Sequence, residues 1–218
     1  MDTKTKKITT MAMLCAISYI VLLISKMFPP MVLFLQYDPK DVVITLGGFI
    51  YGPLSAALIS VLVSLIEFIT ISDTGIIGFI MNVISTCGFS CVAAAIYKYR
   101  KTQKVAVLSL FLGGLISTVL MLLWNYFITP LYMKVPRADI AAMLMPVFLP
   151  FNLIKCGLNI AFTLILYKPI VSGLRRAKLI PPSSYDKGME NRGFLSLSIA
   201  IAILILGLCI FTLTVILK

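Results

Sequence analysis

The chain has 218 residues, 60% hydrophobic and 12% charged, with a formal net charge of +11 and a mean hydropathy of +1.05. A water-soluble domain of this length needs far more polar cover, so a soluble globular fold is excluded. The apolar runs are long and continuous rather than alternating, which also excludes an outer-membrane barrel.

The sequence reads as an all-α polytopic membrane protein. Lys4, Lys6 and Lys7 precede an apolar run over residues 8–27. No small-residue cleavage pattern follows that run, so it reads as a retained first transmembrane helix rather than a signal peptide. Pro29 and Pro30 end it, and a loop over residues 28–40 carries Gln36, Tyr37, Asp38, Pro39 and Lys40. Asp41 is placed to cap a second helix over residues 41–51, which Gly52-Pro53 breaks. That helix covers only about 16 Å of the roughly 30 Å hydrocarbon layer, so its neighbours must enclose it.

Helix 3 is expected over residues 53–70, with a turn at Ser72, Asp73, Thr74 and Gly75. Helix 4 follows over 76–97 and helix 5 over 105–128, with Pro130 ending or kinking it. A polar loop over 134–139 leads to helix 6 over 146–174. A polar linker over 175–192 contains Pro181, Pro182, Ser183 and Ser184, and helix 7 then runs over 194–217. Helix 7 is about 36 Å long at helical rise, enough to span with tilt. The expected domains are a six-helix substrate-binding unit (1–178), a cytoplasmic linker (179–193) and an additional C-terminal transmembrane helix (194–218).

Charge sets the expected orientation. With the N-terminus inside and seven crossings, the inner segments hold thirteen Lys and Arg against three acids, and the outer segments five against five. Lys155 is the remaining cation, inside helix 6. The basic excess is therefore topological, calls for no nucleic acid, and adds a polybasic contact with anionic lipid. This topology places the C-terminus outside, in a cell membrane.

The five cysteines all fall in apolar runs, with neither zinc-like nor disulfide-like spacing. Cys87 and Cys91 read as small buried hydrophobes. Gly47-Gly48 and Gly113-Gly114 read as close-packing positions. No phosphate-binding Gly-x-x-x-x-Gly-Lys-Ser/Thr motif occurs, so ATP hydrolysis by the usual loop is excluded. Without His, and with no acid beside Lys155 in its own helix, an intramembrane enzyme is not expected.

Asn152 and Lys155 lie three residues apart, and so on one face of helix 6. An ammonium inside a membrane helix usually marks a substrate or ion path; the bland alternative is snorkelling to the interface. Asn125 near the end of helix 5 is either a ligand contact or an interhelical hydrogen bond. Asn82 reads as structural, and Asn159 as packing or pocket floor. Tyr37 and Asp38 are either a lid or a solvated turn. Glu67 is either a proton-coupling carboxylate or a solvated or paired acid. Tyr19, Phe34, Phe79 and Trp124 are able to stack on a flat ligand, but most aromatics here are expected at lipid or the interface. These polar groups converge on one outward-facing pocket.

Three segments carry a family resemblance. They are Tyr37-Asp38-Pro39-Lys40-Asp41-Val42 leading to Gly47-Gly48-Phe49-Ile50-Tyr51-Gly52-Pro53-Leu54, then Trp124-Asn125-Tyr126-Phe127, and Pro150-Phe151-Asn152-Leu153-Ile154-Lys155. Over roughly residues 5–178 the chain resembles the substrate-binding S components of energy-coupling factor (ECF) vitamin transporters, most closely the riboflavin-binding type. The resemblance implies a six-helix S-component bundle, riboflavin as transported ligand with no cofactor, and partnership with a transmembrane coupling subunit and two ATPase subunits. It implies that Asn125, Asn152 and Lys155 bond the flavin or its ribityl chain. It also implies that small residues of helix 1, here Ala12 and Ala16, dock the coupling subunit. Helix 7 departs from the six-helix plan. Alternatives left open are another vitamin, a flavin derivative such as FMN, or a stand-alone secondary carrier.

Overall fold

The computed structural model describes residues 3–31, 35–72, 74–179, 200, 202–205 and 207–209. Every regular element among them is helical. The helices are α1 (Thr3–Lys26), α2 (Lys40–Tyr51), α3 (Pro53–Thr70), α4 (Gly75–Thr86), α5 (Val92–Tyr99), α6 (Gln103–Phe127), α7 (Thr129–Met133), α8 (Arg137–Met143) and α9 (Leu149–Arg176). One π-helical turn, Cys87–Cys91, joins α4 to α5, and another, Leu144–Phe148, joins α8 to α9. The linker beyond residue 179, helix-7 residues 194–199 and 210–217, Phe34 and Asp73 lie outside the described residues.

Among the described residues, five helical segments are long and apolar enough to cross a bilayer: Lys4–Lys26, Pro53–Thr70, Gly75–Tyr99, Lys104–Phe127 and Arg137–Arg176. The protein is a multi-pass membrane protein, and its surface agrees. Large aliphatic side chains such as Ile20, Leu54, Ile69, Leu115 and Leu153 are exposed, while many Ser, Thr and Asn side chains and the ionisable Asp38, Lys40, Asp41 and Glu67 are buried. That inversion suits lipid outside and polar partners inside.

The short second helix is the axis of the bundle. Residues 40–49 of α2 are all buried, as its length requires. Leu14 of α1, Val43 and Ile44 of α2, and Ala56, Ile59 and Val63 of α3 form one apolar cluster. Phe49 enters a second cluster with Phe89, Ala93, Ala94, Tyr97, Leu110 and Ile160. Two glycines permit this enclosure. A Cβ at Gly48 would lie 2.9 Å from the Cβ of Ala94 and 3.0 Å from that of Ala56. A Cβ at Gly113 of α6 would lie 2.6 Å from the Phe89 carbonyl oxygen. The α2–α3 reversal rests on Gly52, whose φ of 95° is costly for residues with a Cβ.

Several boundaries differ from expectation. Helix 4 is interrupted by the π turn at Cys87–Cys91, and Cys87 and Cys91 are half-buried rather than buried. The polar loop over 134–139 is shorter, because α8 begins at Arg137. Pro146, expected to open helix 6, sits inside the second π turn, where a missing amide donor is accommodated by the widened winding. Asp41 does not cap α2. The cap position is Pro39, and the Asp41 side chain turns to other helices.

Gly113→Ala is expected to lower stability by about 1–3 kcal/mol, because its Cβ meets a backbone atom that cannot swing away. Gly173→Ala in α9, with nothing within 4 Å of the added Cβ, is expected to be neutral or slightly stabilising. Thermal unfolding of both variants in detergent checks the contrast.

Candidate functional site

Where α1 ends and α2 begins, the bundle concentrates its charge. The loop between them is tied to α1: Gln36 Nε2 donates to the carbonyls of Ser25 (3.2 Å) and Phe28 (2.9 Å). The Ser25 hydroxyl donates to the Tyr37 carbonyl. These bonds turn Tyr37 and Asp38 inward, which overturns the reading of a solvated turn. Asp38 is only 8% exposed.

Two connected polar groups result. In the first, Lys40 is 1% exposed and its ammonium lies 2.5 Å from Glu67 and 3.1 Å from Asp38. Glu67 also accepts from Asn82 Nδ2 at 2.9 Å and faces Lys26 at 3.7 Å. Glu67 is therefore a buried, paired acid, and Asn82 is structural as read from the sequence. In the second group, Asp41 is the hub. Its carboxylate accepts from the Thr86 hydroxyl (2.7 Å) and from Asn159 Nδ2 (3.3 Å), and pairs with Lys155 Nζ at 3.6 Å. Lys155 also donates to the Ser85 hydroxyl at 3.3 Å. The Tyr37 hydroxyl donates to Asn159 Oδ1 at 2.9 Å, so loop, α2, α4 and α9 meet through one chain of contacts.

Lys155 does not snorkel: its ammonium points into the bundle at an acid from α2. Asn159, read as packing or pocket floor, bridges Tyr37 to Asp41. The two other amides are held locally. Asn125 Nδ2 donates to the Met121 carbonyl (2.7 Å) and its Oδ1 accepts from the Thr129 hydroxyl (2.9 Å). Asn152 Nδ2 donates to the Phe148 carbonyl (2.8 Å), within the turn that leaves the π segment. Among the described residues no hydrogen bond joins either amide to Lys155. A cleft of about 540 Å³ lies beside the loop, lined by Val21, Ser25, Phe28, Gln36 and Tyr37 among others, and Asn125, Asn152 and Lys155 do not line it. Of the aromatics singled out, Tyr19 bonds Thr70 at 2.8 Å and Phe79 packs on Phe68. Ala12 and Ala16 are exposed on α1.

The three cations Lys26, Lys40 and Lys155 are matched by Asp38, Asp41 and Glu67. With Lys26 counted, whose side chain is 38% exposed, the group is electrically neutral; its more buried members alone carry one acid in excess. At Tyr37, burial first and then the carboxylates of Asp41 and Asp38 push the phenol well above its ordinary range, so it acts as a neutral donor. At Asp38, burial works to raise the carboxyl, but Lys40, Lys155 and Lys26 outweigh it and hold it below the ordinary value. Sequence reasoning missed Asp41 as the hub and the Lys40–Glu67 pair. The adjacent charges Lys40-Asp41 at the head of an apolar helix were the available signal; Ser85 and Thr86 carried none.

Residues 6–167 match the family model of the ECF transporter substrate-specific component. The chain belongs to that family. Relatives of this S component include the riboflavin transporter RibU of Staphylococcus aureus, 29% identical over 179 residues, with 78% of this chain and 93% of that protein covered. The riboflavin transporter FmnP of Bacillus subtilis is 30% identical over 175 residues, covering 76% and 92%. A solved structure, described as the S component of a bacterial ECF transporter, matches with a TM-score of 0.65 at 26% identity, over 78% of this chain and 98% of its own.

Lys40→Met is expected to destabilise the S component by about 3–5 kcal/mol, since Asp38 and Glu67 lose their shared buried cation. Glu67→Gln leaves the Lys40–Asp38 pair and is expected to cost less. Denaturant or thermal unfolding in detergent ranks the two. Because Asp38 is held below its ordinary value, its contribution is present above the unfolded carboxylate value and is lost as pH falls through the lower folded one. An acid titration of stability should therefore fall less steeply in Asp38→Asn than in the parent.

Proposed function

We propose that this S component captures riboflavin from outside the cell and hands it to an ATP-driven ECF module. The observation that carries the reading is the neutral polar centre at the loop end, where Tyr37, Asp41, Asn159 and Lys155 form one chain in a chain whose relatives are named riboflavin transporters. A flavin needs an apolar slot with a few fixed donors and acceptors. Tyr37, Asn152, Lys155 and Asn125 are the proposed donors. Tyr37 and Asp38 belong to a loop that closes over the ligand. Lys155 is already balanced by Asp41, which favours a neutral vitamin over its phosphorylated form.

In this reading the N-terminus is cytoplasmic and the basic segments face inward. The buried α2 counts as the sixth crossing of residues 1–178. Ala12 and Ala16 lie on the α1 face that docks the coupling subunit, which works with two ATPases. The S component performs no chemistry of its own and leaves energy coupling to those partners.

Riboflavin titration of the purified, ligand-stripped protein tests the assignment through emission of the single Trp124, with FMN, thiamine and biotin as comparators. Saturable quenching is expected from riboflavin, weaker from FMN, and absent with thiamine and biotin. Lys155→Ala and Asn152→Ala should each weaken binding by roughly 5–10-fold, the value of about one hydrogen bond. Parent-like binding in both variants removes them from the site, and no binding by equilibrium dialysis removes riboflavin.

A further inference from the structure

The family match ends at residue 167, yet the structure continues. Residues 200, 202–205 and 207–209 are helical and lie against α9. Ala202 and Cys209 are buried and Ile205 is half-buried, while Ile203, Leu204 and Leu208 are exposed. Positions 202, 205 and 209 form one helical stripe, so a single face is seated and the other meets lipid.

The seating is close and specific. Cys209 clusters with Ile154 and Leu158, and Ile205, Met31, Tyr37 and Phe162 pack against that cluster. Cys209 Sγ lies 3.8 Å from the Ile154 carbonyl oxygen. Gly157 allows this approach, because a Cβ there would lie 2.9 Å from Cys209 Sγ and 3.3 Å from Ile205 Cγ2. Small residues at such contacts let membrane helices approach closely.

The position matters more than the closeness. Ile154 and Leu158 immediately precede Lys155 and Asn159, so α9 offers one flank to the C-terminal helix and the adjacent flank to Asp41. Tyr37 belongs to both sides: it packs on the apolar cluster, and its hydroxyl bonds Asn159. Cys209 and Tyr37 thus share one apolar cluster, a placement that a simple membrane anchor does not need.

We propose that the C-terminal helix is a fixed wall of the gate, clamping the loop residues Met31 and Tyr37 against α9 and slowing ligand exchange. The slowed ligand exchange rests on the riboflavin reading; the clamp itself does not. With the helix seated, the loop opens only by peeling Tyr37 off the cluster. With the helix displaced, the loop loses its apolar backing and opens more often.

The test uses full-length Gly157→Cys, which sets a second thiol against Cys209 at a spacing compatible with a disulfide. Mild oxidation should give an intramolecular link between positions 157 and 209, mapped by peptide mass and absent from G157C/C209A. Without ligand, amide hydrogen exchange over residues 35–39 should be slower in the oxidised form than in the reduced form. It should be faster than in the parent in a chain truncated after residue 192. With riboflavin bound, release should slow by roughly tenfold on oxidation and recover on reduction. Failure of the link to form overturns the seating. A link that leaves loop exchange unchanged overturns the clamp. Loop protection without riboflavin binding by the parent supports the clamp and rejects only the ligand reading.

Discussion

The outer shell of this protein is organised by the need to bury α2. A helix of twelve residues leaves its ends within the hydrophobic layer, where an unpaired backbone or charged group costs several kcal/mol. Its first turn nevertheless carries Lys40 and Asp41. Each must find an opposite charge, and those charges come from elements distant in sequence: Glu67 on α3 and Lys155 on α9. Packing follows the same demand. Gly48 brings α2 against Ala56 and Ala94, and Gly113 brings α6 against the π turn, so the enclosing helices come close enough for these pairs to form.

Charge matching at the loop end connects stability with the site. Three cations and three acids balance at the loop end once the exposed Lys26 is counted, so the site offers oriented donors and acceptors with little net field. Such a site suits a neutral polar ligand, whose binding exchanges one set of hydrogen bonds for another without stranding a charge. Asp38 and Tyr37 place the loop within this balance. The loop's position and the site's hydrogen bonding are therefore coupled through Lys40 on one side and Asn159 on the other.

Two π-helical turns shape the surroundings. The one at Cys87–Cys91 follows Ser85 and Thr86, both of which contact the Asp41–Lys155 pair. The one at Leu144–Phe148 ends at the carbonyl that holds Asn152. An extra residue in a turn rotates everything after it, so both turns adjust which side chains face α2. On the other flank of α9, Cys209 clusters with Ile154 and Leu158, and Ile205 and Tyr37 pack against that cluster.

The sequence by itself determined the environment, the apolar helices and the short second helix. These follow from run length, hydropathy and the Gly-Pro break, which act locally. It also marked Lys155, Asn125 and Asn152 as unusual, because amides and an ammonium are costly in lipid, and it marked Gly48 and Gly113 as contact points. Tertiary structure alone decided the pairings. Asp41 looked like a helix cap because caps are local, but Lys155, Thr86 and Asn159 claim it across 45 to 118 positions of sequence. Glu67 read as either a proton-coupling carboxylate or a solvated or paired acid, and only the fold brings Lys40 and Asn82 to it. Tyr37 and Asp38 read as either a lid or a solvated turn, and only the packing of α1, α2 and α9 turns them inward. A buried charge has no sequence signature for its partner, since the pairing energy depends on distances that exist only once the helices have closed.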